Sequence, residues 1–153
     1  MDSTILVSYF EKYTLLDYVI AYGSMGREET PCVKDQAGNV NLYNDLDLIL
    51  VTEEKVKIAL MVPKIKKEIK ELFGVKWVDL LIWDNIQLRK KRNTIFYYDL
   101  CFKHLAIKGS KKDLAKILVP FPQKKISTYD FYCMYQTRMW AAMSLLIGHE
   151  GCH

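Results

Sequence analysis

Short β-branched and aromatic runs alternate with longer stretches of helical spacing along this chain, and the alternation predicts an α/β (α+β) fold, a mixed sheet with helices packed mainly on one face. Stop signals agree with it, because Gly74 and Gly148 stand where the long helical stretches should end. Size agrees as well. The 153 residues, half of them apolar, suffice to bury one core and leave little room for a second domain.

Taken in order, Ile5, Tyr9 and Tyr13 recur at a spacing that puts one face of a short helix, Thr4–Tyr13, against the sheet. Tyr18–Tyr22 is a buried strand that ends in a tight turn at Gly23-Ser24. From Arg27 to Asn44 the composition turns polar, and the Gln36-Ala37-Gly38-Asn39 cluster suggests an inserted loop or a hairpin turning near Gly38. Leu46–Val51 is a strand. Thr52 then offers a cap, and Glu53 and Glu54 an acidic first turn, for a helix interrupted or restarted near Pro63 and closed at Gly74. Val75–Trp83 is a third strand, with Asp84 as a cap or turn residue at its end. Asn93 caps a helix to about Lys103, Leu105–Ile107 is a short strand closing at Gly109-Ser110, and Lys111–Leu118 is a brief helix ended by Pro120 and Pro122. Ser127 or Thr128 caps the last helix, which runs to about Ile147 and carries Phe131, Tyr135, Met139, Ala142 and Leu146 at helical spacing, as a packing or dimer helix would.

Composition narrows the function classes. No apolar run approaches the length of a membrane span and the start lacks a leader pattern, so a cytoplasmic protein is expected. Cys32, Cys101, Cys133 and Cys152 form no CxxC pair, which argues against a structural zinc site and for reduced thiols. A net charge of +4 suits an anionic ligand but does not indicate nucleic acid. Lys64, Lys66, Lys67 and Lys70 read as a solvated helix face, and Arg89 to Arg92 as a solvated connection. His149, Glu150, Cys152 and His153 read as a frayed tail, and His104 as structural. Neither a GxSxG elbow nor a GxxxxGK[ST] loop is present.

The informative stretch is Asn44-Asp45-Leu46-Asp47-Leu48. Alternate strand residues share a face and lie roughly 6–7 Å apart along it, so Asp45 and Asp47 project together. Their repulsion is best offset by a divalent cation, and magnesium suits carboxylate oxygens shared with water and phosphate. Asp79 is a lone acid in an apolar strand, an expensive position that a shared metal would relieve. Gly23-Ser24 follows a strand, where glycine lets backbone amides approach an anion and serine adds a hydroxyl donor. Taken singly, Asp45 and Asp47 also fit a turn or cap, Asp79 a hydrogen-bonded core acid, and Gly23-Ser24 an ordinary turn.

In this order, Tyr22-Gly23-Ser24, Asp45-Leu46-Asp47 and Val78-Asp79-Leu80, the chain resembles the DNA polymerase β nucleotidyltransferase superfamily over about residues 15 to 110, and Phe96–Leu100 leading into Leu105–Gly109 resembles the later helix and strand of its small bacterial members. The resemblance implies a nucleotidyltransferase palm over residues 1–125, followed over 126–153 by a helix and tail, the opening of a helical domain. It also implies that Asp45, Asp47 and Asp79 hold two magnesium ions, that Gly23 and Ser24 cradle the β- and γ-phosphates of a nucleoside triphosphate, ATP above others, and that a nucleotidylated small molecule or protein is the product. Arg27 is close enough to Ser24 to add charge to that pocket, and Glu28 and Glu29 are the substitutes should an assigned acid fail. Twenty residues separate Ser24 from Asp45, more than in minimal members, so an insertion is folded aside or recognises substrate. A homodimer through the last helix could supply a missing wall. The rival class is a non-catalytic nucleotide-binding or antitoxin-like module on the same palm.

Overall fold

A computed structural model describes residues 3–27, 32–34, 40–42, 45–90, 92, 94–122 and 125–146. The chain runs α1 (Ser3–Glu11), β1 (Tyr18–Ala21), α2 (Gly23–Gly26), β2 (Cys32–Lys34), β3 (Val40–Leu42), β4 (Leu46–Val51), α3 (Lys55–Phe73), β5 (Val78–Trp83), α4 (Asn85–Arg89), α5 (Ile95–Phe102), β6 (Leu105–Lys108), α6 (Lys111–Ile117) and α7 (Thr128–Leu146). Four strands form the mixed sheet expected, in the order β5-β4-β1-β6. β1 is antiparallel to both β4 and β6, and β4 is parallel to β5 through the α3 crossover. The polar insertion contains an antiparallel pair, β2 with β3, in register Cys32↔Leu42 to Lys34↔Val40; the turn expected near Gly38 lies outside the described residues.

Helices cover both faces of the sheet rather than mainly one. The even residues of β4, Leu46, Leu48 and Leu50, pack with Leu6 and Phe10 of α1 and with Ile58, Ile65 and Ile69 of α3. Its odd residues Ile49 and Val51 pack with Leu88, Tyr97, Leu100 and Leu114 of α4, α5 and α6. A strand buried on both faces reads as a continuous apolar run, and β4 does so from Leu48 onward. Its entrance, where Asp45 and Asp47 stand, precedes this doubly covered run.

Several local expectations are corrected. On α1 the buried face is Leu6, Tyr9 and Phe10, whereas Ile5 is exposed; Tyr13 lies beyond the helix, buried, its hydroxyl 2.9 Å from that of Tyr9. Thr52 is not the cap of α3, which begins at Lys55 after Glu54; its fully buried hydroxyl instead donates to the Leu15 carbonyl at 2.7 Å and accepts from the Glu54 amide. Thr94, not Asn93, caps α5, accepting from the Tyr97 amide. Asp84 caps α4 in a reciprocal box with Gln87. Ser127 accepts from the Asp130 amide at the start of α7; the expected stop at Gly148 lies outside the described residues.

Pro63 does not interrupt α3, which continues through it to the left-handed Gly74, φ 62°. Proline has no amide to donate to the Ala59 carbonyl four residues back, and its ring crowds that carbonyl. Pro63→Ala is therefore expected to raise stability by about 1–2 kcal/mol, the helix gain being reduced by the greater freedom of the unfolded chain. Urea unfolding checks this, and a less stable variant would contradict it.

Candidate functional site

The site forms where the end of β1 lies beside the start of β4. The Tyr22 amide donates to the Asp47 carbonyl at 3.1 Å, which carries the ladder one residue past β1. The chain then turns at Gly23 with φ +62° into the single turn of α2. A Cβ at Gly23 would fall on the Asp47 carboxylate, so only glycine lets the backbone come this close to the acid in this conformation.

Asp45 is exposed and Asp47 half-buried on the same face of β4. Across the parallel ladder Asp79 is the register partner of Asp47. Burial, then the charges of Asp79 and Asp45, push the Asp47 carboxyl up to about 6, against the pull of Arg138 and Arg27. Tyr22 lines the same place; burial first, then Asp47 and Asp79, hold its hydroxyl well above the usual phenol range.

Asp79 is the sequence expectation that the structure changes most. It is no core acid. β5 is an edge strand, the Asp79 side chain is 63% exposed, and Lys66 of α3 reaches to 3.9 Å from it. Water and lysine meet the cost that a metal was invoked to relieve, so what links Asp79 to the site is its register opposite Asp47. It does not line the cleft described next.

That cleft has a volume of about 610 Å³. One wall brings together Gly23, Ser24, Arg27, Asp45 and Asp47, five of the six residues singled out from the sequence. The other walls come from α5, through Ile95, Phe96 and Asp99, and from α7, through Asp130, Cys133, Met134, Thr137 and Arg138. Arg27 lies 3.9 Å from Asp99 across the floor. Phe96 packs edge-on to Tyr22 with centroids 5.0 Å apart. Asp130 accepts from the Ile95 amide at 2.5 Å, which ties the first turn of α7 to the start of α5.

Sequence reasoning missed this wall and read the last helix as packing or dimer surface. A signal existed. Asp130 and Arg138 are the only charged residues among the nineteen of α7, and eight residues on a helix return to within roughly 80° of the same direction. The stripe that drew attention instead, Phe131, Tyr135 and Met139, is exposed. His104 is structural as expected, its Nδ1 2.9 Å from the Leu100 carbonyl and its pKa lowered by burial.

Among the described residues no three His, Cys, Asp or Glu side chains gather to hold a metal ion. Magnesium asks for less, since it commonly takes one or two carboxylates and completes its shell with water and phosphate oxygens. Asp45 and Asp47 supply such a pair, and the raised Asp47 pKa marks negative charge that a cation would offset. The donor set fits that ion. Glu28, Glu29 and residues 149–153 lie outside the described residues. No helix among those described is long and apolar enough to cross a membrane.

The mixed sheet, the glycine turn and the acidic strand entrance belong to a fold that this chain shares with solved structures. In particular, the chain matches a solved chain of a toxin–antitoxin complex with AMP-PNP at TM-score 0.50 and 12% identity, over 96% of this chain and 99% of that one. Weaker likenesses are to a mutant MntA–HpeT toxin–antitoxin complex, TM-score 0.46 and 10% identity over 96% and 99% of the two chains, and to a tri-AMPylated Shewanella oneidensis HEPN toxin in complex with an MNT antitoxin, TM-score 0.40 and 12% identity over 95% and 98%. No protein-family model matches the sequence, and no curated protein matches it significantly.

Proposed function

We propose that this chain is a magnesium-dependent nucleotidyltransferase that moves a nucleoside monophosphate from ATP to an acceptor hydroxyl and releases pyrophosphate. The observation that carries the reading is the approach of the Gly23 backbone to Asp47 at the mouth of a cleft that also holds Asp45, Ser24 and Arg27. Gly23 and Ser24 offer donors to the β- and γ-phosphates, and Arg27 adds charge to hold them. Asp45 and Asp47 would hold magnesium, with Asp79 joining from β5. Held there, magnesium would supply Lewis-acid polarisation of the α-phosphate and positive charge for the departing pyrophosphate. The acceptor oxygen bonds to the α-phosphorus as the bond to the bridging oxygen breaks, and the hydroxyl proton leaves toward the acidic face, where Asp79 is open to water.

ATP as donor accords with a fold neighbour that comes from a toxin–antitoxin complex with AMP-PNP, and a protein acceptor is the class we propose beside it. A protein partner, or a second copy in a homodimer, also suits the outer side of α7, where Tyr135 and Trp140 are 67% and 64% exposed. The cytoplasm, with its ATP and magnesium, is the compartment that fits.

A second reading is favoured by one observation, the placing of Asp79 against Lys66 and away from the cleft lining. On that reading the chain binds nucleotide and regulates a partner without turnover. Labelled ATP separates the two. With magnesium and the proteins of a cell extract, label from the α-phosphate is expected to enter protein and label from the γ-phosphate is not, with Asp45→Asn, Asp47→Asn inert. Nucleotide binding without α-label transfer would support the regulatory module, and γ-label transfer that depends on the native chain and is lost in the double variant would contradict nucleotidyl transfer.

A further inference from the structure

Two arginines line the cleft, Arg27 on the wall that carries the acidic pair and Arg138 on the α7 wall. Arg27 follows α2 directly and lies 3.9 Å from Asp99. Arg138 comes from the middle of α7, and it too lines the cleft. Among the described residues Arg138 has no ion-pair partner of its own, and it lines the cleft together with Asp45 and Asp47. An arginine aimed at a cleft and not engaged by a carboxylate is poised for an anion, and the guanidinium fork matches phosphate oxygens in pairs.

The position of α7 is fixed by side chains that have no other evident work. Ser127 caps its first turn, and Asp130 accepts the Ile95 amide, so one charged residue of the helix anchors it to α5 and the other is presented to the cleft two turns further on. Met134 and Thr137 line the wall between them. The Thr137 hydroxyl is turned back to the Cys133 carbonyl at 2.9 Å, which leaves Arg138 as the cationic feature of this wall.

We propose that Arg138 is the second cationic arm of the triphosphate site, closing on the β- and γ-phosphates from the α7 wall opposite Arg27, so that α7 belongs to the nucleotide site. The proposal rests on the nucleotide reading above and adds to it a residue and a helix that the acidic motif alone does not imply. With magnesium held by Asp45 and Asp47, their charge would be offset and Arg138 left to meet the phosphates. Arg138 contacts the substrate in this account but takes no part in proton transfer.

Calorimetry with ATP and with AMP, both with magnesium, tests it in the full chain and in Arg138→Met and Arg138→Lys, after thermal unfolding has shown the three to be folded. The expected result is a preference for ATP over AMP in the native chain that falls about tenfold to a hundredfold in Arg138→Met, the range for losing charge-assisted hydrogen bonds, and is partly restored in Arg138→Lys. AMP affinity should change little. Equal losses for ATP and AMP would assign Arg138 a structural role and overturn the inference, as would an unchanged ratio, while both leave the nucleotide reading standing. Absence of ATP binding by the native chain would overturn both. Asp130→Ala supplies an independent arm: with Arg138 intact but its helix untied from α5, it should lower the same ratio, and a ratio equal to the native one would contradict the part assigned to α7.

Discussion

Asp47→Asn is expected to abolish nucleotidyl transfer and yet make the protein more stable at neutral and alkaline pH. The carboxyl is pushed up to about 6 in the folded chain, from 3.8, by burial first and then by Asp79 and Asp45. A folded state that holds the proton more tightly than the unfolded one is favoured below both values and loses that advantage as pH rises through 6. Above pH 6 the ionised Asp47 therefore costs stability, about 1–2 kcal/mol once its partial exposure to solvent is allowed for. Asparagine removes the cost. Urea unfolding at pH 8 should show the variant more stable by about that amount, and the difference should vanish below pH 4. If the proposed site is right, activity should fall by at least about a hundredfold, because the variant lacks an acid proposed to hold the metal that would balance transition-state charge. A variant less stable than the native chain at pH 8 would show that Asp47 is held by favourable contacts and is not a strained acid awaiting a cation.

Gly23→Ala should be comparably damaging with a one-carbon change. Its φ of +62° costs an alanine roughly 1 kcal/mol, and the added methyl falls on the Asp47 carboxylate. Either the backbone withdraws, taking its amides from the phosphates, or Asp47 swings aside and leaves its position beside Asp45. Both routes should weaken magnesium–ATP binding by more than about tenfold, while global stability falls by only about 1–3 kcal/mol. Calorimetry beside thermal unfolding separates the effects. Native-like ATP affinity in a folded Gly23→Ala would contradict the role given to this close approach.

Much of the site was legible because its signals are local. Tyr22-Gly23-Ser24 and Asp45-Leu46-Asp47 state a turn and a shared strand face within a few residues, and the cleft holds both. The strand β4 was legible for a similar reason, a β-branched and leucine run buried on both faces. What was misread depends on distant partners. Asp79 looked costly because its strand is apolar, but the order β5-β4-β1-β6 puts that strand at an edge where water and Lys66 reach it. Thr52 has the chemistry of a cap, but the Leu15 carbonyl, thirty-seven residues away, takes its hydroxyl. Pro63 signalled a break, yet α3 carries it on an exposed side while Ile58, Ile65 and Ile69 keep one buried stripe. The helices fell on both faces because element order does not say which side a connection crosses. α7 lines the cleft, and among the contacts that tie it there is the bond from the Ile95 amide to Asp130, which no periodicity announces.

The central claim is that the Gly23, Asp45 and Asp47 cluster is a magnesium and triphosphate site. Calorimetric titration of the folded native chain with the four common nucleoside triphosphates, with and without magnesium, beside Asp45→Asn, Asp47→Asn, tests it most directly. The expected result is binding that needs magnesium, favours ATP and is lost in the double variant. Failure of the native chain to bind any triphosphate, or binding unchanged when both acids are neutralised, would contradict it.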